Sequence, residues 1–579
     1  MQSSDTSSRT LNRQCVFRLL ARAVILFLMS ATTGPVSAQE GIAAHPGDRP
    51  AGWIQQTRSA VMARNGMVAT SQPLAVEAGL RILQKGGNAV DAAVAVAATL
   101  NVVEPMMTGV GGDMFAIVYL AKTGELIGLN GSGRAPKRAS VDVYRAKGFK
   151  TMPQTGIFSV TVPGTVDGWD QLLKRAGTMT FKEVLQPAIQ YAEEGFPVSE
   201  VIQSNWAAYV PKLKDDPDSA RTWLQDGQAP QLGSIFKNPS LAKTFRLLAE
   251  QGRDAFYKGE IARAIVAKSQ ALGGLLTLED LASHTSTWVT PIHTNYRGYE
   301  VYELPPNPQG VAALQMLNIL EGYDLRALGP HSPRFWHLLI EAKKLAYADL
   351  AEHLADPEFS RVPTRTMLSK EYAAKQRARI VENQAASEVK SGIAEGGDTV
   401  YLTVVDRWGN MVSFIQSLYS LFGSGITAGD TGIMLQNRGA LFVLDEKHPN
   451  RIEAGKRPYH TIIPAFVMKD GRPWLSFGVM GGDEQAQAHV QVLVNLIDLG
   501  MNVQAAGEAA RFHHLQSANT VAFESGVSPT VIRELTGMGH RIVSEVGSFG
   551  GYQAIMRDPA TGVYVAGSDP RKDGLALGY

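Results

Sequence analysis

The sequence predicts a mixed α/β protein, and three observations carry that prediction. Apolar residues recur at helical spacing in the first third of the chain and again across residues 335–355; strand-like alternation begins abruptly at Thr399; glycine-rich punctuation separates the two kinds of segment. With 579 residues, 45% apolar and 19% charged, the chain can bury a large core, as one layered body or a few domains. Its formal charge of +1 gives no electrostatic reason to expect nucleic acid or an anionic surface as partner.

The first residues are of another kind. Arg9, Arg13, Arg18 and Arg22 precede the apolar run 23–29, and Gly34-Pro35-Val36-Ser37-Ala38 ends on a small residue suited to signal-peptidase cleavage. The run is about half the ~20 residues a spanning helix needs. Residues 1–38 therefore read as a removable export signal, and the mature chain as periplasmic or secreted with no membrane attachment. The single cysteine, Cys15, lies inside this segment, which excludes cysteine chemistry and disulfides from the mature chain.

Beyond the leader, Leu74, Val76, Leu80 and Leu83 sit close to helical spacing, and Gly86-Gly87 supplies a stop. Asn88 can cap a second helix over 89–100, whose small side chains suit close burial. Gly109-Val110-Gly111-Gly112 then turns the chain into a strand over 115–120. A dinucleotide fingerprint runs strand, glycines, helix; here the order is reversed, and no phosphate-loop motif occurs, so the glycines read as a structural turn. The middle third is mostly helical, with breaks at 215–218 and 305–308. After Thr399 come β-rich runs such as 474–479 and helical segments near Val490 and Ala505. Residues 384–398 are polar and lack apolar rhythm, as expected of an exposed linker or processing site.

Several chemistries fail on order or spacing. There is no His-Glu-x-x-His, and the adjacent His513 and His514 diverge on either a helix or a strand, so no catalytic zinc is expected and their role reads as structural. A GxSxG elbow is absent. Ser240-Leu241-Ala242-Lys243 and Lys122-Thr123-Gly124 match two motifs of penicillin-recognising enzymes, but in the wrong order; Ser240 behind Pro239 reads more simply as a helix start.

Thr399 remains. In the strand it opens, Thr399, Tyr401, Thr403 and Val405 face one side while Val400, Leu402 and Val404 face the other. Arg407-Trp408-Gly409 can form a hairpin turn that pairs Asp406 with Asn410, and counting outward places Ser417 opposite Thr399. A two-residue turn would shift that pairing by one. A threonine exposed as a new N-terminus carries its own base, since an α-amine titrates near pH 7.7–8.0 beside its own hydroxyl. Creating that amine requires Thr399 Oγ1 to attack the Asp398 carbonyl, and Gly396-Gly397 would help the backbone bend. From residue types alone the plainer reading, a threonine that is simply a good strand former, stays stronger.

Eight ordered stretches change that weighting: GGNAVDAAVAVAATLNVVEP (86–105), TVPGTVDGW (161–169), EAKKLAYAD (341–349), GDTVYLTVVDRWGN (397–410), FGSGI (422–426), GKRPYHTIIP (455–464), GVMGGD (478–483) and DPRKDGLALGY (569–579). With them the chain resembles the γ-glutamyltranspeptidase family of N-terminal-nucleophile hydrolases from about residue 69 to the end. The resemblance implies an αββα sandwich built from two chains of one self-cleaved precursor, a large subunit 39–398 and a small subunit 399–579. It further implies that Asp398 and Thr399 flank the processing site, that Thr399 is the nucleophile and its amine the base, that Ser417 supports the nucleophile's hydroxyl, and that Gly481 and Gly482 form the oxyanion hole. No metal or organic cofactor is implied.

In the substrate pocket the chain departs from the family pattern. Ser132 stands where a carboxylate-binding arginine is expected, with Arg134 two residues later; Tyr419 replaces an asparagine, Leu441 replaces the aspartate that holds an ammonium, and His460-Thr461 replaces a serine pair. An apolar group facing an ammonium leaves a buried charge unpaired, at a cost of several kcal/mol, unless Asp445 or Glu446 compensates. These variants resemble the branch containing oxamate amidohydrolase and cephalosporin or glutaryl acylases. Arg134, Tyr419, Arg438, His460 and Thr461 are the candidates for contacting a smaller or less zwitterionic acid. The expected partner is a small-molecule amide; an authentic γ-glutamyltransferase, or a non-catalytic binding protein on the same fold, are the alternatives.

Overall fold

The computed structural model describes residues 53, 56–390, 397–547 and 549–579; the expected export signal lies outside them. Two seven-stranded sheets dominate. The first runs Leu575–Gly578, Met67–Thr70, Asp398–Val405, Met411–Tyr419, Asp113–Leu120, Glu125–Gly131, Thr287–Val289; the second runs Val61–Ala63, Tyr564–Ser568, Gly551–Arg557, Arg472–Met480, Ala465–Lys469, Tyr299–Glu303, Ile292–Tyr296. Every pairing within them is antiparallel.

Three apolar clusters define the layers. Phe115, Ile117, Tyr401, Val405 and Ile415 of the first sheet meet Phe466, Met480, Ile555 and Ala566 of the second, forming the seam between sheets. The opposite faces bury Val400, Leu402 and Val404 against helices Pro73–Gln84, Ala89–Val103, Thr165–Ala176 and Gln186–Glu194, and Val467, Leu475, Phe477 and Val479 against Gly310–Leu320, Pro333–His353 and Glu484–Ile497. The order is helix, sheet, sheet, helix, and strand alternation produces it: Val400, Leu402 and Val404 go to the helices, Tyr401 and Val405 to the seam. Thr403, on the seam side, is satisfied across the sheets by Ser476, at 2.7 Å between hydroxyl oxygens.

Helix Ala89–Val103 is buried along its whole length, which its alanines and valines allow. Asn88 caps it in a capping box with Asp91, and Asp406 Oδ2 accepts from Ala89 N at 2.9 Å, tying its start to the hairpin that follows the Thr399 strand. Helix Pro73–Gln84 crosses it closely: a Cβ on Gly79 would stand 2.4 Å from Val96 Cγ2. Alanine there would overpack the contact by roughly 1–3 kcal/mol. The Gly109–Gly112 segment is the turn into strand Asp113–Leu120, Lys122-Thr123-Gly124 lies in a hairpin connection, and Ser240 sits in the first turn of Pro239–Gln251 behind its Asn238 cap.

Candidate active site

The site is assembled at one end of the hairpin 398–419. At the other end, Asp406 N donates to Asn410 O at 3.1 Å, Asp406 Oδ1 accepts from Trp408 N and Asn410 N, and Gly409 takes the positive φ of +88° that the turn requires. From there the register runs Val405 to Met411 through Val400 to Gln416, as the count outward from the turn requires. It then breaks in a bulge, because Asp398 pairs with Tyr419, leaving Ser417 and Leu418 opposite the single residue Thr399.

The bulge corrects one expectation. The Ser417 hydroxyl does not bond the Thr399 hydroxyl but donates to the Asp398 carbonyl oxygen, at 2.8 Å. Its proton has no alternative, since the same oxygen accepts from Tyr419 N at 2.7 Å and from Arg438 Nη2 at 3.0 Å. One hydroxyl thus hands the pull of a guanidinium to the carbonyl of the 398–399 peptide bond. Thr399 is fully buried; its N–H donates to Asp398 Oδ1 at 2.8 Å, and Gln485 Nε2 reaches its hydroxyl at 3.5 Å.

Arg438 is the centre of the cluster. It sits at the start of a short 3₁₀ turn, Arg438–Leu441, with Nη1 donating to Thr461 Oγ1 at 2.9 Å and its guanidinium carbon 4.8 Å from the Tyr419 ring centre. Tyr419 adopts φ +81° to place that ring, a conformation a bulky residue keeps only where its surroundings enforce it. Among the described residues no carboxylate lies within 4.0 Å of the guanidinium, and its Nε has no hydrogen-bond partner. Burial lowers Arg438 to about 10, with Asp113 opposing the shift, so it stays charged at neutral pH.

Asp113 was not anticipated. Its Oδ1 accepts from Gly133 N, Gly164 N and Gln436 Nε2 at 2.9–3.1 Å, and its Oδ2 from His460 Nε2 at 3.1 Å. Burial pushes this carboxyl up to about 6, against the pull of Arg438 and the hydrogen bonds. Burial first, then the Arg438 charge, hold His460 well below its ordinary value. His460 is therefore neutral, with Nδ1 accepting from Ile462 N and Nε2–H donating to Asp113: a hydrogen bond rather than an ion pair. The only local sign of Asp113 in the sequence was an acidic residue opening a strand behind two glycines.

Of the remaining candidates, Gly481 and Gly482 end strand Arg472–Met480 with φ of +126° and +59°, which suits glycine. Gln309 Nε2 fixes the Gly482 carbonyl at 2.9 Å and the Thr461 carbonyl at 2.6 Å, joining both segments. Arg134 is not brought to Arg438; it is tied to Glu358 at 2.9 Å, Asp356 at 3.8 Å and the Gly455 carbonyl. Asp445 and Glu446 do not compensate for Leu441: Asp445 caps Lys447 N, Glu446 pairs with Arg145, and Leu441 is buried in the apolar layer. His513 and His514 diverge as expected, His513 between Asp483 and Glu545, His514 toward Asn519 and Lys343.

A cavity of about 530 Å³ opens onto this end of the hairpin, lined among others by Gly397, Asp398, Gly481, His513 and Lys572. Lys572 Nζ lies 3.6 Å from Asp398 Oδ2. Gly397 is pressed on Tyr419, since a Cβ there would come within 2.7 Å of the ring.

The chain is similar to known proteins over most of its length. Residues 75–579 match the sequence model of the gamma-glutamyltranspeptidase family. The chain belongs to that family. It is 41% identical over 526 residues to the glutathione hydrolase-like YwrD proenzyme of Bacillus subtilis (strain 168), covering 90% of this chain and 99% of the relative. It is 35% identical over 535 residues to the oxamate amidohydrolase proenzyme of Klebsiella pneumoniae, covering 90% of this chain and 100% of the relative. The fold superposes on the crystal structure of a cephalosporin acylase from Bacillus halodurans with a TM-score of 0.86 and 42% identity, over 92% of this chain and 99% of the other. Within the family this protein is an enzyme, an amide-bond hydrolase made as a self-cleaving precursor.

Proposed function

We propose that Thr399 is both the residue before which the precursor cuts itself and the nucleophile of the mature enzyme, and that its substrates are amides whose acyl group carries a carboxylate but no α-ammonium. The observation that carries the reading is the chain of bonds from Arg438 through the Ser417 hydroxyl to the Asp398 carbonyl oxygen. In processing, Thr399 Oγ1 attacks that carbonyl carbon while Ser417 supports the charge growing on oxygen; the C–N bond breaks, the nitrogen takes the hydroxyl proton, and an ester joins Asp398 to Thr399. Water then hydrolyses the ester, leaving a carboxylate on Asp398 and a free amine on Thr399.

Departure of the 397–398 end uncovers what it covers: the Tyr419 ring, the Ser417 hydroxyl and the guanidinium behind them. The incoming acyl carbonyl takes the place of the Asp398 carbonyl, Gly481 and Gly482 offer N–H groups to the tetrahedral oxyanion, and the Thr399 amine protonates the leaving nitrogen. Arg438, without a carboxylate of its own, binds the substrate's; two hydrogen bonds separate it from the reacting oxygen, so the acyl chain between carbonyl and carboxylate is short. Tyr419, His460 and Thr461 shape and orient that guanidinium. The position where the family pattern has an aspartate for an ammonium holds apolar Leu441, Asp113 already accepts four bonds, and of the acidic groups lining the cavity Asp483 is bonded to His513 and Glu524 is paired with Arg571. The mature unit is then a heterodimer of residues 39–398 and 399–579, exported to the periplasm or medium; among the described residues no helix is long and apolar enough to cross a membrane.

Denaturing gel electrophoresis and N-terminal sequencing of wild type and Thr399→Ala test the core of this reading. Wild type should yield a fragment beginning TVYLTVV and release amine from glutaryl or oxamate-type amides; the variant should stay whole and inert. A different new N-terminus, or efficient turnover by the uncut variant, would remove Thr399 from the reaction.

A further inference from the structure

Far from the Thr399 hairpin in sequence, three buried ligand-type side chains converge on the helical layer. His337 and Glu341 stand four residues apart on helix Pro333–His353 and so project from one face, while His540 arrives just after helix Pro529–Gly537. Their ligating atoms all lie within 4.8 Å of one another. His337 Nδ1 is 2.9 Å from His540 Nε2, and His337 Nε2 is 2.9 Å from the Val381 carbonyl oxygen.

That carbonyl can only accept, so His337 carries its proton on Nε2 and turns the lone pair of Nδ1 inward. In this structure His540 therefore donates Nε2–H to His337 Nδ1, and ligation through Nε2 would place its proton on the buried Nδ1 instead. Glu341 is incompletely used: Lys344 Nζ holds Oε1 at 2.9 Å, whereas Ala386 N reaches both oxygens only at 3.3 Å.

We propose that His337 Nδ1, His540 Nε2 and a carboxylate oxygen of Glu341 form a site for a divalent cation of the zinc class, with a solvent-derived ligand completing a four-coordinate set. Two imidazoles and one carboxylate are the donor set such a cation takes, and the His337 Nε2–H bond to a backbone carbonyl is the outer support that metal-bound imidazoles need. A cavity of about 260 Å³ reaches Glu341, with Asp349, Glu352 and Glu388 on its walls beside Lys344 and Lys390; the two histidines lie behind that carboxylate rather than on the cavity wall.

The site's place in the chain gives the cation a role. His337 and Glu341 precede Thr399 and His540 follows it, so if the chain is cut as proposed above the cation bridges the two fragments. It also sits where the segment approaching the cut is anchored, through Val381 O on His337, Ala386 N on Glu341 and Ala385 N on Met538 O.

Zinc content tests the site independently of processing, because it can be measured on wild type and on uncut Thr399→Ala alike. Untagged protein, stripped with a chelator, equilibrated with Zn²⁺ and freed of excess, should retain about one zinc per chain in both forms. His540→Gln and Glu341→Gln should retain at least tenfold less. Zinc-edge X-ray absorption of wild type, which needs no variant to fold, should show nitrogen and oxygen ligands at about 2.0–2.2 Å. Zinc should also raise the urea concentration at which wild-type fragments separate, and not that of His540→Gln. Wild type that retains no zinc, or both variants retaining it undiminished, would overturn the site.

Discussion

Two fully buried arginines on this chain have opposite surroundings. Arg511 donates to Asp569 Oδ2 at 2.9 Å and to the carbonyls of Phe549 and Gly507, and Arg571 closes the same cluster through Glu524 and Asp569. Arg438 is equally buried but makes its bonds to two hydroxyls and an aromatic face. Each guanidinium has an unpartnered Nε, so the difference lies in the carboxylate. A cation taken out of water beside its counter-ion is structural; one held only by neutral groups remains costly until an anion arrives. On the function proposed above, the Arg438 cluster is the one that takes an anion from the substrate, whereas the Arg511 cluster is a finished joint.

The sharpest way to break that contrast is to remove the guanidinium from one cluster and the carboxylate from the other. Arg438→Met should lower kcat/KM for carboxylate-bearing amides by roughly 10²–10⁴, the 2–5 kcal/mol expected when a buried charge pair with ligand is lost. Its unfolding midpoint in denaturant should move less than that of Asp569→Ala. Removing Asp569 strands Arg511, while Arg571 keeps Glu524, and should cost about 3–5 kcal/mol of stability while leaving the ranking of substrates unchanged. Ser417→Ala comes next: losing one donor to the reacting carbonyl should slow both processing and turnover about 10²-fold, read from the rate of fragment appearance and from single-turnover kinetics.

The smallest effect concerns pH. The Asp113 carboxyl is raised in the folded protein, to about 6, so the stability it contributes is fully present below its unfolded value near 4 and is lost as pH rises through 6. In binding, the same proton matters differently. Protonating Asp113 removes the negative charge nearest Arg438, so KM for a carboxylate-bearing amide should fall several-fold as pH drops through about 6. Asp113→Asn should flatten that dependence; an unchanged profile would separate Asp113 from Arg438.

The hairpin was legible because its information is local: Asp406, Gly409 and Asn410 encode the turn, and strand alternation carries the register as far as Val400. The bulge at Thr399 was not, since it depends on Leu418 N bonding Met107 O and on the left-handed turn at Tyr419, both set by distant chain. Arg438 entered through family resemblance, as did Arg134, and only the fold separated them. Arg134 lies beside Glu358 and Asp356, whose approach no short-range pattern announces. Asp113 was hidden for a related reason, because its four donors come from four different segments.

The central claim is that Arg438 reads a carboxylate on the acyl group attacked by Thr399. Its most direct test is kcat/KM for a glutaryl anilide, its methyl ester and a γ-glutamyl anilide, measured with wild type and Arg438→Met. Wild type should favour the glutaryl acid over its ester by about 10²-fold or more and over the γ-glutamyl compound as well, and the variant should lose the acid-over-ester preference. A preference for the acid that survives in Arg438→Met, or a wild type that prefers the γ-glutamyl anilide, would contradict it.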